Sequence, residues 1–284
     1  MRFDKSFLAS QGAISGFVLL WGSAAIFTRL GLDNASPLAL IACRFIVALI
    51  VLLTLGIIRG RLLPPPIARK KVLLSGVMII GGYSLCYFEA MAHGVTPGLI
   101  ATIMGIQPLL TLCLVKPEMN GRRVVGLIIA LSGLILLVWR SLAAAQMSGQ
   151  GLMFALAALL FMTFGAILQQ KLPYSPAEVL PVQYAVSLLL CLFLVPFSSF
   201  RINFNREFVM AVLFLGVFIS VVAQLLLYRL LNAGNIVNVT SLFYLVPVIT
   251  AILDYVLLGN RLPLSGIIGM AAIIGGVSLV FRKP

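Results

Sequence analysis

The sequence predicts an all-α integral membrane protein: ten transmembrane helices forming two inverted five-helix repeats, with N- and C-termini cytoplasmic. Three observations predict it. Of 284 residues, 62% are hydrophobic and 10% charged, with a mean hydropathy of +1.15, whereas soluble domains carry roughly 25% charged residues. Apolar runs of spanning length follow one another from end to end. The second half echoes the first at a constant offset of 139 positions.

A helix needs about 20 apolar residues to cross the hydrocarbon core. Such runs occupy residues 7–29, 37–58, 72–93, 97–115, 123–140, 149–170, 176–197, 207–231, 236–258 and 263–281. The first continues to Arg29 without a convincing cleavage site, so it reads as a retained helix rather than a signal peptide. The second opens on Ser36-Pro37 and carries Arg44 within it. The third follows the basic stretch "RGRLLPPPIARKK" and holds Glu89 and the chain's single histidine, His93. The fourth contains Pro108, and the fifth opens on Arg122-Arg123. The sixth and seventh restate the first and second, including a Ser175-Pro176 opening. The eighth ends near Arg229, the ninth contains Pro247 and Asp254, and the tenth stops at Arg282-Lys283. The runs are continuous rather than alternating, which argues against a β-barrel.

Orientation follows from the basic residues. Fourteen lysines and arginines fall on the side of the N-terminus (Arg2, Lys5, Arg59, Arg61, Arg69, Lys70, Lys71, Lys116, Arg122, Arg123, Lys171, Arg229, Arg282, Lys283). Five fall on the other (Arg29, Arg140, Arg201, Arg206, Arg261). The positive-inside rule then makes both termini cytoplasmic. The formal charge of +13 is spread between apolar runs rather than gathered in a patch. It therefore points to membrane lipid and not to nucleic acid. The four cysteines, Cys43, Cys86, Cys113 and Cys191, lie inside apolar segments at no metal-ligand spacing and read as small hydrophobes.

At the 139-residue offset, "GAISGFVLLWGSAAIFTRLGLDNASP" (12–37) lies on "GLMFALAALLFMTFGAILQQKLPYSP" (151–176). Arg44-Phe45 meets Gln183-Tyr184, His93 meets Asn232 and Pro108 meets Pro247. A small insertion then brings 126–138 onto 269–281. Residues 1–140 and 149–284 are thus two repeats, each with an odd number of spans, so they sit in opposite orientations. Many secondary transporters share that arrangement.

Three stretches also resemble a known family. "LLWGSAAIFTRLGL" (19–32) looks like the first-helix signature of the drug/metabolite transporter superfamily, EamA type. "SPLALIACRFIVALIVLL" (36–53) and "FYLVPVITAILDYVLLGNRLPLSGIIGMAAIIGGVSLVF" (243–281) are similar to its second and its last two helices. The resemblance implies a multi-pass exporter of the bacterial inner membrane, moving neutral or aromatic amino acids or related metabolites. It also implies a central cavity lined by helices 1, 3, 4, 6, 8 and 9, with the fifth and tenth peripheral. Alternatives are a multidrug exporter of the same fold and, from another class, a membrane enzyme acting on lipid.

Several residues are candidates for the work. Ionisable side chains within a bilayer normally face a partner or a water-filled cavity. Glu89 and His93, one turn apart, either fix helix packing through a Glu89–Arg44 pair or line the cavity, where Glu89 could bind substrate or exchange protons. Asp254 either pairs with Arg261 or lines an outer vestibule. Pro108 and Pro247 are mid-helix prolines that remove a backbone hydrogen bond and kink their helices, and they are the candidate gating positions. Gln107 and Tyr244 lie beside them. Trp21, Tyr83, Tyr87, Phe161, Tyr228 and Tyr244 complete the cavity candidates, since aromatics could stack on a substrate's apolar body. Phe3, Trp139 and Phe281 read as interfacial anchors. No G-x-x-x-x-G-K-[ST] occurs, so the chain carries no P-loop and implies no ATPase subunit. No cofactor or metal is called for, and the expected partners are a small-molecule substrate, lipid and protons.

Overall fold

A computed structural model describes residues 5–60, 64–65, 69–115, 121–139, 148–258 and 263–282. It is all helix, save for an isolated bridge between Ala35 and Ile202. In chain order the helices are α1 (Lys5–Leu32), α2 (Pro37–Ile58), α3 (Arg69–Ala92), α4 (Pro97–Met104 continued by Gln107–Val115) and α5 (Gly121–Leu137). The second half gives α6 (Gly149–Gln170), α7 (Pro176–Leu194), α8 (Arg206–Ala233), α9 (Ile236–Ser241 continued through Leu245–Leu258) and α10 (Leu264–Phe281). Among the described residues, nine of these are long and apolar enough to cross a membrane. The protein is a multi-pass membrane protein. The exception is α5, whose 17 residues fall short because the helix winds down at Leu137, before the expected end at 140.

The sequence sets the helix starts plainly. Pro37, Pro97 and Pro176 occupy first-turn positions, where a missing N–H costs nothing. Thr96, Ser148 and Asn205 accept a hydrogen bond from the first turn of α4, α6 and α8. At the end of α3, Gly94 has φ +86°, the left-handed conformation that closes a helix.

The two halves interleave rather than standing side by side. α2 packs on α7 and α8, α3 packs on α6 and α7, and α1 packs on α8 and α9. Helix ends fall into two layers. At one, Ser36 N–H donates to the Arg201 carbonyl (3.0 Å) and Asn203 N–H to the Asn34 carbonyl (2.8 Å), tying the α1–α2 turn to the α7–α8 turn. Ser148 Oγ donates to the His93 carbonyl in the same layer (2.7 Å). At the other, Gln170 Nε2 donates to the Gly234 carbonyl (3.1 Å). Meanwhile α5 and α10 pack mainly on each other. A Cβ added at Gly133 would stand 2.7 Å from the Gly269 carbonyl, and one at Gly126 would stand 2.7 Å from that of Gly276. Backbones this close admit only glycine.

Candidate substrate cavity

Helices α4 and α9 are both interrupted just before their prolines. α4 breaks at Gly105-Ile106, two residues before Pro108, and α9 tightens into a 3₁₀ turn at Leu242–Tyr244, before Pro247. Each ring removes the N–H that the carbonyl four residues earlier would receive. A second matched pair of irregularities involves no proline. α3 has π-helical turns at Val77–Gly82 and α8 at Phe214–Ala223. Adding 139 to the first range lands inside the second. Such insertions widen a helix locally and are common at functional sites.

These irregular helices surround a cavity of about 700 Å³. Its walls carry five aromatic side chains: Trp21 of α1, Tyr83, Tyr87 and Phe88 of α3, and Phe243 of α9. Trp21 meets Phe243 edge-on with centroids 5.4 Å apart, and Tyr83 and Tyr87 lie 5.6 Å apart. Met104 and Pro247, from the two interrupted helices, complete the apolar surface. The cavity reaches the layer of helix ends that holds Arg29 and Asp33. These form an exposed ion pair at 3.1 Å on its rim.

Arg44 is the charged group farther in. It lies about 10 Å along α2 from Pro37, at 1.5 Å per residue, and it lines the cavity while only 8% exposed. Its Nε donates to Ser220 Oγ of α8 at 2.6 Å. Its guanidinium carbon sits 5.8 Å from the Phe45 ring centre and 5.9 Å from that of Phe88. It makes no ion pair among the described residues.

The Glu89–Arg44 pair expected from the sequence does not form. Glu89 instead faces His93 one turn on, at 3.6 Å, as residues four apart on a helix do. His93 Nδ1 donates to the Glu89 carbonyl (2.8 Å), and its ring lies against Phe154 of α6 at 5.4 Å. That face of α3 points to α6, whereas Arg44 points to α8. Neither Glu89 nor His93 is among the residues lining the cavity. The side chain of Asp254, like Arg261 and Phe3, lies outside the described residues.

Of the remaining candidates, Trp21, Tyr83, Tyr87 and Pro247 line the cavity, while Gln107, Pro108, Phe161, Tyr228 and Tyr244 do not. Phe161 packs over Gly82, leaving no room there for a Cβ. Gln107 and Tyr244 are fully buried, and among the described residues neither the Gln107 amide nor the Tyr244 hydroxyl has a hydrogen-bond partner. The unpartnered Thr111 hydroxyl lies one turn beyond Gln107.

Tyr228 belongs to a polar network in the opposite layer, which the sequence reading missed. Its hydroxyl donates to Gln183 Oε1 (2.8 Å). Gln183 Nε2 donates to Gln169 Oε1 (2.8 Å), which also accepts from Ser75 Oγ (3.0 Å). All of these side chains are wholly buried. Ser187 Oγ adds a bond to the Gly76 carbonyl (3.2 Å). The network clamps α3 of the first half to α6, α7 and α8 of the second, on the far side of the bundle from the cavity rim. The available signal was Gln183 itself, the repeat partner of Arg44.

Comparison with known proteins places the chain. An uncharacterized transporter of Archaeoglobus fulgidus is 29% identical over 281 residues, covering 94% of this chain and 95% of its own. The Escherichia coli inner membrane transporter YedA is 31% identical over 140 residues, 48% of this chain and 45% of its own. A probable amino-acid metabolite efflux pump of Salmonella typhimurium is 23% identical, covering 92% and 90% of the two chains. A solved crystal structure, 21% identical, superposes with a TM-score of 0.80 over 96% of this chain and 97% of its own, which speaks to the fold. The EamA-like transporter family matches residues 12–139 and 149–282, nearly the full length. The chain belongs to the EamA-like transporter family.

Proposed function

We propose that this transporter is a secondary exporter of neutral or aromatic amino acids, working by alternating access across the bacterial inner membrane. The observation that carries the reading is the aromatic-walled cavity of about 700 Å³ between the two halves. It reaches one layer of helix ends, while a buried polar network closes the other. With α5 counted as a span and the Arg29 layer taken as the outer face, this reading has the cavity open outward and the cytoplasmic end shut. The distant Salmonella efflux pump lends the amino-acid reading further support.

The cycle would exchange the two closures. The Gln183–Gln169–Ser75–Tyr228 network would open, α3 and α8 would flex at their π-helical turns, and the outer walls would meet over the substrate. The unpartnered Gln107, Thr111 and Tyr244 then acquire a purpose. They are polar groups left dry in the closed half of the path and wetted when it opens, since buried polar atoms are otherwise paired.

The test is counterflow in proteoliposomes with a panel of labelled amino acids, with and without a pH gradient. Saturable flux of phenylalanine, tryptophan or leucine supports the reading. Flux of no amino acid, beside flux of organic cations, would replace it with the multidrug alternative.

A further inference from the structure

Arg44 carries a charge that no carboxylate among the described residues answers. An arginine stays protonated at any relevant pH, and a charge held within a bilayer-spanning bundle normally has a counter-ion. Here the guanidinium is 8% exposed, makes no ion pair among the described residues, and gives Nε to the neutral Ser220 hydroxyl. The nearby rings of Phe45 and Phe88 offer only their faces. The sole described carboxylate lining the cavity, Asp33, is at the rim and already paired with Arg29.

Resting on the cavity reading above, we infer that Arg44 is the docking point for the carboxylate of the transported molecule, whose apolar body lies between Trp21, Phe243 and the Tyr83–Tyr87 pair. A carboxylate accepts the guanidinium's parallel N–H donors better than water does once the site dries. The substrate thereby supplies the missing counter-ion. The same fixed charge repels ligands whose only charge is positive, so the site selects acids over amines of equal size and shape. Its repeat partner, Gln183, is neutral and spent in the closing network. Among the described residues the anionic group therefore has one anchor whose charge is not already paired, in the half of the path that is open here.

Head-group selectivity tests the assignment. The full-length protein, carrying Trp139→Phe so that Trp21 is the sole tryptophan reporter, is placed in nanodiscs. It is titrated with phenylacetate, phenylacetamide and phenethylamine, which share one aromatic body. Phenylacetate should shift Trp21 emission with an affinity roughly tenfold or more above that of the amide, and phenethylamine should give no response. Arg44→Gln should erase the preference for the acid. Arg44→Lys should retain part of it, because an ammonium keeps the charge and loses the planar fork. Equal binding of acid and amide, no response to the acid, or a preference that survives Arg44→Gln would each overturn the inference. If Arg44→Gln does not fold, the head-group series on the parent and on Arg44→Lys still decides. Acid selectivity without flux of any amino acid would remove the amino-acid reading while leaving Arg44 as a carboxylate site.

Discussion

At Trp21 the indole forms one wall of the cavity and meets Phe243 edge-on, so its removal takes away both contact area and the shape of the neighbouring wall. Trp21→Ala should raise the KM for an aromatic substrate by roughly tenfold, given the worth of a large aromatic contact, with little change in protein yield or melting temperature. Glu89 behaves oppositely. It is tied to His93 on the α6-facing side of α3, away from the cavity walls. Glu89→Gln should therefore leave amino-acid flux and its response to a pH gradient at parent levels; a lost response would return Glu89 to a coupling role. Arg44 and Glu89 also show where reading residues alone runs out. Both are visible in the sequence as charges inside spans, but pairing depends on which way each helix is rotated. Arg44 turns to Ser220, a choice made by packing, which leaves Glu89 with the neighbour that its own helix supplies four residues on, His93.

Helix interruptions were legible where a residue causes them. Pro108 and Pro247 stand at matched positions, and α4 and α9 break just ahead of each. The π-helical turns at Val77–Gly82 and Phe214–Ala223 were not legible. No proline marks them, and an extra residue in a turn leaves an apolar run apolar. Likewise, α5 and α10 were expected to be peripheral, but their glycine contacts went unread although Gly126, Gly133, Gly269 and Gly276 share a seven-residue spacing. Gly133→Leu should push these helices apart and lower stability by about 1–3 kcal/mol or more, the usual cost of overpacking. Thermal unfolding in detergent would register it as a lower melting temperature. In the closing network, Gln183→Leu would take away the partner of the Tyr228 hydroxyl and leave Gln169 Oε1 with Ser75 Oγ alone, and a buried hydroxyl left without a partner costs about 1–3 kcal/mol. Because that cost falls on the closed end, which the proposed orientation puts at the cytoplasm, the variant should show increased labelling from that side.

Across the whole molecule, the 139-residue offset reads as symmetry between an open end and a closed one. Arg44 faces the cavity on one side, while its counterpart Gln183 is locked among buried side chains on the other. Alternating access exchanges these two environments, and thiol labelling from either side of the membrane follows that exchange. In a background with Cys43, Cys86, Cys113 and Cys191 replaced, Ala25→Cys reports the cavity and Ser75→Cys the closing network. A membrane-impermeant maleimide should reach Ala25→Cys from the outer face only. It should reach Ser75→Cys from the cytoplasmic face only, with saturating substrate altering both rates in opposite directions. Ser75→Cys labelled from the outer face, or untouched from either side while transport proceeds, would rule out the exchange.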